Sequence, residues 1–281
     1  MVEHKGAHSV ISHLILLLGA LLVLFPLYIA LVAASHPAEA LIGTTPLWFG
    51  PRLSENFGSV LGHGLQAAGG APVWRMLLNS TIMAVGISLG KILISLLSAF
   101  AIVYFRLPGR QICFFLIFVT LMLPVEIRIV PTFEVANHLG LINNYPGLIF
   151  PLIASATATF LYRQFFLTIP DELLEAARID GAGPWRFFRD VVLPLSRTNT
   201  AALFVVTFIY GWNQYLWPLL ITNQESMYTV VMAIQRMVNV PDAPVEWNLV
   251  MTTALLGLLP PLLVVLGMQR LFIKGLIETE K

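Results

Sequence analysis

The sequence predicts an all-α membrane protein: six transmembrane helices, with a charged helix hairpin between the fourth and fifth. Three observations predict it. The 281 residues are 57% hydrophobic and only 11% charged, against roughly 25% charge in a soluble domain. Six apolar runs reach the roughly 20 residues a helix needs to cross a bilayer. None of them alternates apolar and polar residues as a barrel strand does.

The runs are 13–34, 77–105, 111–130, 147–167, 200–222 and 249–272, and residues 1–281 read as one transmembrane domain. The first begins its apolar part at Leu14 and keeps it to Ala34. That exceeds the roughly 7–15 apolar residues of a cleaved signal, so a retained first helix is expected. In the second run, Gly86 and Gly90 form a small-xxx-small pair that permits close helix packing. Lys91 follows them near mid-membrane, either lining a pathway or pairing with a partner chain. The third run holds Cys113, the one cysteine, so no internal disulfide forms. Between the runs, 35–76, 131–146 and 223–248 are rich in Gly, Pro, Asn and aromatics and read as loops. Within them, "GHGLQAAGGAP" (62–72) reads as flexible and "MVNVPDAPVEW" (237–247) as irregular but ordered.

Charge sets the orientation, because Lys and Arg are retained on the cytoplasmic side. With the N-terminus inside, the inner segments hold Lys5, Arg106, Arg110, Arg163, Arg178, Arg186, Arg189, Arg197, Arg270, Lys274 and Lys281. The outer segments hold Arg52, Arg75 and Arg236. Eleven against three puts both termini, and the segment 168–199, in the cytoplasm. A net charge of +1 does not suggest nucleic-acid binding.

Segment 168–199 is too long for a mere connector. It reads as two short helices. Thr168 or Asp171 is expected to cap the first, with Pro170 in its first turn. Acidic Asp171 and Glu172 suit that positive helix end. Leu173, Ala176 and Ala177 would share a face, and Glu175 and Arg178 would pair. Gly181 breaks the first helix. The second, "PWRFFRDVV", would present Trp185, Phe188 and Val192 together and close at Pro194. Such a knob suits either a docking surface or an amphipathic hairpin on lipid headgroups.

The spacing separates the two. Glu175-Ala176-Ala177, three residues, Gly181, nine residues, Val191, one residue, Leu193-Pro194 resembles the "EAA" motif of ABC importer permeases, with valine at the usual isoleucine. "FIYGWNQYLWPLLIT" (208–222) is similar to the fifth span of the carbohydrate-type group that includes maltose importers. "LMLPVEIRIVPTFEV" (121–135), "ASATATFLYRQFF" (154–166), "FPLY" (25–28) and "EWN" (246–248) resemble the sn-glycerol 3-phosphate branch of that group. The likeness is weakest at 35–70 and 223–245.

The resemblance implies a transport subunit in the bacterial inner membrane that is not itself an enzyme. It implies a second permease subunit forming a heterodimer, two ATPase subunits and a periplasmic binding protein. ATP and Mg would sit on the ATPase, and this chain would bind no cofactor or metal. Coupling to the ATPase would run through Glu175, Ala176, Ala177, Gly181, Leu193 and Pro194. The substrate would be sn-glycerol 3-phosphate or a glycerophosphodiester; a maltose-like sugar is the alternative.

Candidate pathway residues come from polar groups at membrane depth. Arg128 offers a planar fork to a phosphate, with Glu126 orienting it; otherwise both snorkel or pair between helices. In the fifth span, Asn213 and Trp217 are expected to share a helical face, either lining the pathway or bonding between helices. A secondary transporter would show inverted repeats and broken helix pairs, and none is evident in the sequence. A membrane enzyme would need a metal or nucleophile motif, and neither HExxH nor GxSxG occurs. "GISLGK" (86–91) is too short for a P-loop and lacks the hydroxyl residue after Lys91. His4, His8 and His13 lie in a terminal tail without the accompanying ligands of a metal site.

Overall fold

The computed structural model describes residues 5–63, 70–105, 108–122, 125–240 and 243–278. These are helical or irregular, with no strand among the described residues. In chain order the helices are α1 (Lys5–Ala34), α2 (Leu53–Gly62), α3 (Val73–Tyr104), α4 (Arg110–Met122), α5 (Val125–His138) and α6 (Tyr145–Ile149). Then come α7 (Ala156–Phe166), α8 (Asp171–Ile179), α9 (Pro184–Leu195), α10 (Arg197–Trp212), α11 (Leu216–Ile221), α12 (Val230–Val238) and α13 (Trp247–Glu278).

Among the described residues, α1, α3 and α13 are each long and apolar enough to cross a bilayer. Two bent pairs raise the number to five if each is a single span. One joins Tyr145–Leu152 to α7 at 53°, the other α9 to α10 at 71°. The run 147–167 is thus not one straight helix. Ser155 leaves helical geometry, and its hydroxyl accepts the Ala158 N–H at 3.2 Å, so it caps a new helix in mid-run. The run 200–222 also breaks, at 213–215. A straight helix there would set the Pro218 ring against the carbonyl of Gln214.

The run 111–130 falls on α4 and α5. Residues 131–138, expected in a loop, continue α5. The expected loops 35–76 and 223–248 carry α2 and α12. Both are short and amphipathic: α2 buries Asn56 and Val60 one turn apart, and α12 buries Val230, Ala233 and Met237. Part of the expected flexible loop 62–72, and Pro241 and Asp242 of the expected loop 237–247, lie outside the described residues.

The chain divides into two compact units. One takes the chain up to Arg75 together with Ala233–Leu259. Here Asn56 is the pin: its side-chain amide donates to the carbonyls of Ala34 and His36 at 2.8 and 2.9 Å, and its oxygen accepts from Asn248 at 3.3 Å. A buried amide needs such partners, because an unsatisfied one costs about 1–3 kcal/mol.

The other unit takes Met76–Met232 and the residues from Pro260 onward. It has two apolar clusters. One gathers Ile92, Leu96 and Phe100 of α3, Tyr162 and Phe166 of α7, Phe187, Phe188 and Val192 of α9, and Leu203 of α10. The second gathers Met83 and Ile87 of α3, Ile129 of α5, Leu148 of α6, and Trp217 and Ile221 of α11. Helix α3 feeds both. Gly86 and Gly90 let it approach closely: a Cβ on Gly86 would meet Ile149 at 2.6 Å, and one on Gly90 would meet Ile153. The small-xxx-small pair therefore packs against the chain just before α7, as its spacing predicts.

Candidate functional site

The segment 168–199 folds as two helices with a left-handed turn between them. Pro170 occupies the residue before α8, and no side chain caps that end. Thr168 does not cap it; its hydroxyl donates backward to the Phe165 carbonyl at 2.7 Å. At the other end, Gly181 has φ +72°. Its N–H reaches the Arg178 carbonyl at 3.0 Å, and the Ala182 N–H reaches Ala177 at 2.8 Å. This paired closure needs a residue at positive φ, which glycine adopts without strain. A Cβ on Gly181 would meet nothing within 4 Å, so conformation alone makes the demand there.

The faces of the hairpin differ from those expected. Leu174 and Ala177 pack inward, while Leu173, Glu175 and Ala176 point outward with Ile179. In α9, Phe187 and Phe188 are buried, and Trp185 lies outside them, stacked on Phe188 at 5.5 Å. The cause is a wider turn: Phe188–Val192 is π-helical, with the Leu193 N–H bonded to the Phe188 carbonyl. Pro194 has no N–H, and its ring opposes a carbonyl four residues back, so the turn before it opens by one residue. Pro194 therefore does not end α9; the break comes at Ser196. Glu175 and Arg178 form no ion pair. Instead Asp190 accepts from Arg189 at 2.6 Å and lies 3.6 Å from Arg186. The Arg189 hydrogen bond holds the Asp190 carboxyl below its ordinary range.

The inner side of the hairpin rests on aromatic packing. Phe188 lies 4.9 Å from Phe100, and Phe187 meets Tyr104 edge-on at 5.2 Å. Such pairs contribute about 0.5–1.5 kcal/mol each beyond area burial. Beside them a cleft of about 550 Å³ is lined by Tyr104, Arg110, Thr168, Asp171 and Leu174. The outer side is left apolar and charged together: Ile179 is 87% exposed and Trp185 66%. Glu175 and Ala176 lie on that outer side; Leu193 is exposed, and Ala177 and Pro194 are half-buried.

The candidate pathway residues do not assemble as one set. Asn213 is exposed at the end of α10, and Trp217 is buried in α11 with its indole N–H donating to the Gly147 carbonyl at 3.0 Å. The break at 213–215 means they do not share a helical face. The side chain of Glu126 lies outside the described residues.

Arg128 is half-buried in α5, and its Nε is enclosed without a hydrogen-bond partner. Ile129, the next residue, packs in one cluster with Ile87 of α3, and Tyr210 of α10 lies against it. Lys91 is 7% exposed, and its amine sits 3.5 Å over the Tyr210 ring centroid. Sequence reasoning missed Tyr210, although it lies one turn before Asn213 and Gln214 in the stretch 208–222.

The family model described as "Binding-protein-dependent transport system inner membrane component" matches residues 91–278. The sn-glycerol-3-phosphate transport system permease protein UgpE of Rhizobium meliloti (strain 1021) is 55% identical over 282 residues, covering 100% of each chain. The protein of that name from Yersinia pestis bv. Antiqua (strain Antiqua) is 56% identical over 282 residues with the same coverage. Among solved structures, a chain of a bacterial ABC transporter involved in import of the acidic polysaccharide alginate superposes with a TM-score of 0.78. It is 19% identical and covers 96% of this chain and 98% of its own. A chain from the bacterial alginate ABC transporter in complex with its pentasaccharide-bound periplasmic protein gives 0.53 at 16% identity, covering 94% and 96%.

Proposed function

The chain belongs to the family of binding-protein-dependent transport inner membrane components, and we propose that it is the permease subunit that carries sn-glycerol 3-phosphate inward in an ATP-driven importer. The observation that carries the substrate is the full-length likeness to permeases named for it. The protein is a multi-pass transport component of the inner membrane. It crosses the membrane six times with both termini in the cytoplasm. What supports this is the six apolar runs and the eleven-to-three distribution of basic residues.

In this reading the chain pairs with a second permease subunit and receives substrate from a periplasmic binding protein. Two separate ATPase subunits bind ATP and Mg; this chain binds no cofactor. The hairpin of α8 and α9 docks on the ATPase. Glu175 and Ala176 lie on the outer side with Ile179 and Trp185, and Leu193 follows at the end of α9. Ala177 and Gly181 hold the hairpin's shape, and the wide turn before Pro194 lets Phe187 and Phe188 grip α3. Movement of the ATPase would thus pass through the aromatic cluster into the membrane. Glu126 and Arg128 lie along the substrate pathway, as does Asn213, with Trp217 holding the shape of its wall.

The test is uptake of labelled sn-glycerol 3-phosphate into proteoliposomes. They hold this subunit with a second permease subunit, an ATPase and a binding protein of the same importer. Uptake that requires ATP and ignores excess maltose is expected. ATP-dependent maltose uptake instead would overturn the substrate. For the coupling role, Gly181→Leu forces a branched side chain to positive φ, a cost of roughly 1–2 kcal/mol. The complex should still assemble, with ATP hydrolysis no longer matched by uptake. Normal uptake per ATP in that variant would remove the hairpin from the coupling route.

A further inference from the structure

Lys91 of α3 and Arg128 of α5 stand beside one apolar cluster of the second unit, in which Ile87 and Ile129 meet with Tyr210 packed against them. Neither has an ion-pair partner among the described residues. Lys91 is almost wholly enclosed, and the ring of Tyr210 is what its amine faces. Arg128 adds an enclosed Nε with no acceptor. A buried charge without a counter-charge is strongly destabilising, and a second like charge nearby adds to the cost. One aromatic face offsets only a small part of that. Among the described residues no carboxylate pairs with either cation, which leaves room in their charge balance for an anion.

We propose that Lys91 and Arg128 form a two-cation site for the phosphate of the transported substrate, with Tyr210 standing in for the anion while the site is empty. The site rests on the permease reading above and deepens it by naming what receives the charged end of the molecule. The chemistry matches in both number and shape. A phosphate monoester carries roughly −1.5 to −2 near neutral pH, which two fixed cations balance. The guanidinium offers paired donors to two phosphate oxygens, and the ammonium adds a compact point charge. The negative face of the Tyr210 ring holds the ammonium in place until the phosphate displaces it.

The discriminating variant is Lys91→Met, which keeps the length of the side chain and removes its charge. If Lys91 were merely tolerated, an apolar replacement at a buried position would be neutral or stabilising and uptake would be unchanged. The site predicts a split: unchanged or raised thermal stability of the complex in detergent, with uptake of sn-glycerol 3-phosphate lowered about 10- to 100-fold, as for loss of a hydrogen bond to a charged group. Hydrolysis of ATP stimulated by the loaded binding protein should persist. Arg128→Gln should give the same split, and it decides alone if the Lys91 variant fails to assemble. Uptake within about twofold of the wild type would overturn the site and leave the permease reading intact. A wild-type complex that carries no sn-glycerol 3-phosphate would instead overturn the reading beneath it.

Discussion

Helices α1 and α3 are nearly the same length, 30 and 32 residues, and both are apolar enough to cross a bilayer. Yet only 6% of the apolar window of α1 is buried within the protein, against 50% for α3. Hydropathy does not distinguish them; the minor residues do. From Leu14 to Ala34, α1 is mostly Leu, Ile, Val and Ala; its side chains are exposed over residues 10–28, half-buried over 29–31 and buried from Val32. Acyl chains are as apolar as leucine, so nothing drives such a helix onto protein. Helix α3 carries Asn79, Ser80, Ser88, Lys91 and Ser95, all buried, and the glycines 86 and 90. Small residues admit close neighbours, and polar ones need them. The composition that makes a span and the composition that makes an interface are separate properties.

The comparison can be broken where its effect is largest. Leu22, 76% exposed near the centre of α1, has no partner for a charge. Leu22→Lys should cost about 3 kcal/mol of insertion, on the scale measured for a lysine at a helix centre. Membrane yield of the full chain reads this, and an undiminished yield would show that α1 has neighbours the comparison denies it. Next comes Gly211 of α10, where a Cβ would stand 3.0 Å from the Ala84 Cα of α3. Backbone cannot yield as a side chain does, so Gly211→Leu should cost about 2 kcal/mol by overpacking. A lower melting temperature of the purified complex would register it. Smallest is the bond from the Thr159 hydroxyl to Ser95 at 3.2 Å, buried between α7 and α3. A double-mutant cycle with Ser95→Ala and Thr159→Val should give a coupling of about 0.6 kcal/mol, the usual size inside a membrane protein. A coupling near zero would leave the contact of α3 with α7 to apolar packing.

What the sequence revealed follows the same division. The helical class and the positions of the apolar runs were legible, because burying backbone in lipid forces helices and tolerates little charge. The glycine at 181 was legible because a closed helix end needs positive φ. Breaks within runs were harder. Ser155 reads as a cap only once a helix start is suspected in the middle of an apolar stretch, and the break at 213–215 comes from a proline that follows it. The π turn before Pro194 reassigned the inner face from Trp185 to Phe187, which a periodicity of 3.6 could not anticipate. Lys91 and Arg128 were each conspicuous in the sequence. The nearness of the helices that carry them to one another and to Tyr210 was not, because it depends on how three separate helices pack.

That nearness has a consequence for how the chain is made. Tyr210 follows Lys91 by roughly 120 residues. At roughly 5–20 residues per second, α3 leaves the ribosome some 6–24 s before the ring that faces its lysine exists. During that interval the amine has only the stem of its own side chain with which to reach the headgroups. The apolar stretch of α1 carries no such group and can enter the bilayer as soon as it is synthesised, whereas Lys91 of α3 gains the ring it faces only after α10 has arrived. The surroundings of Lys91 are thus completed late, and a chain arrested between the two would hold α1 and α3 without the ring that faces the lysine.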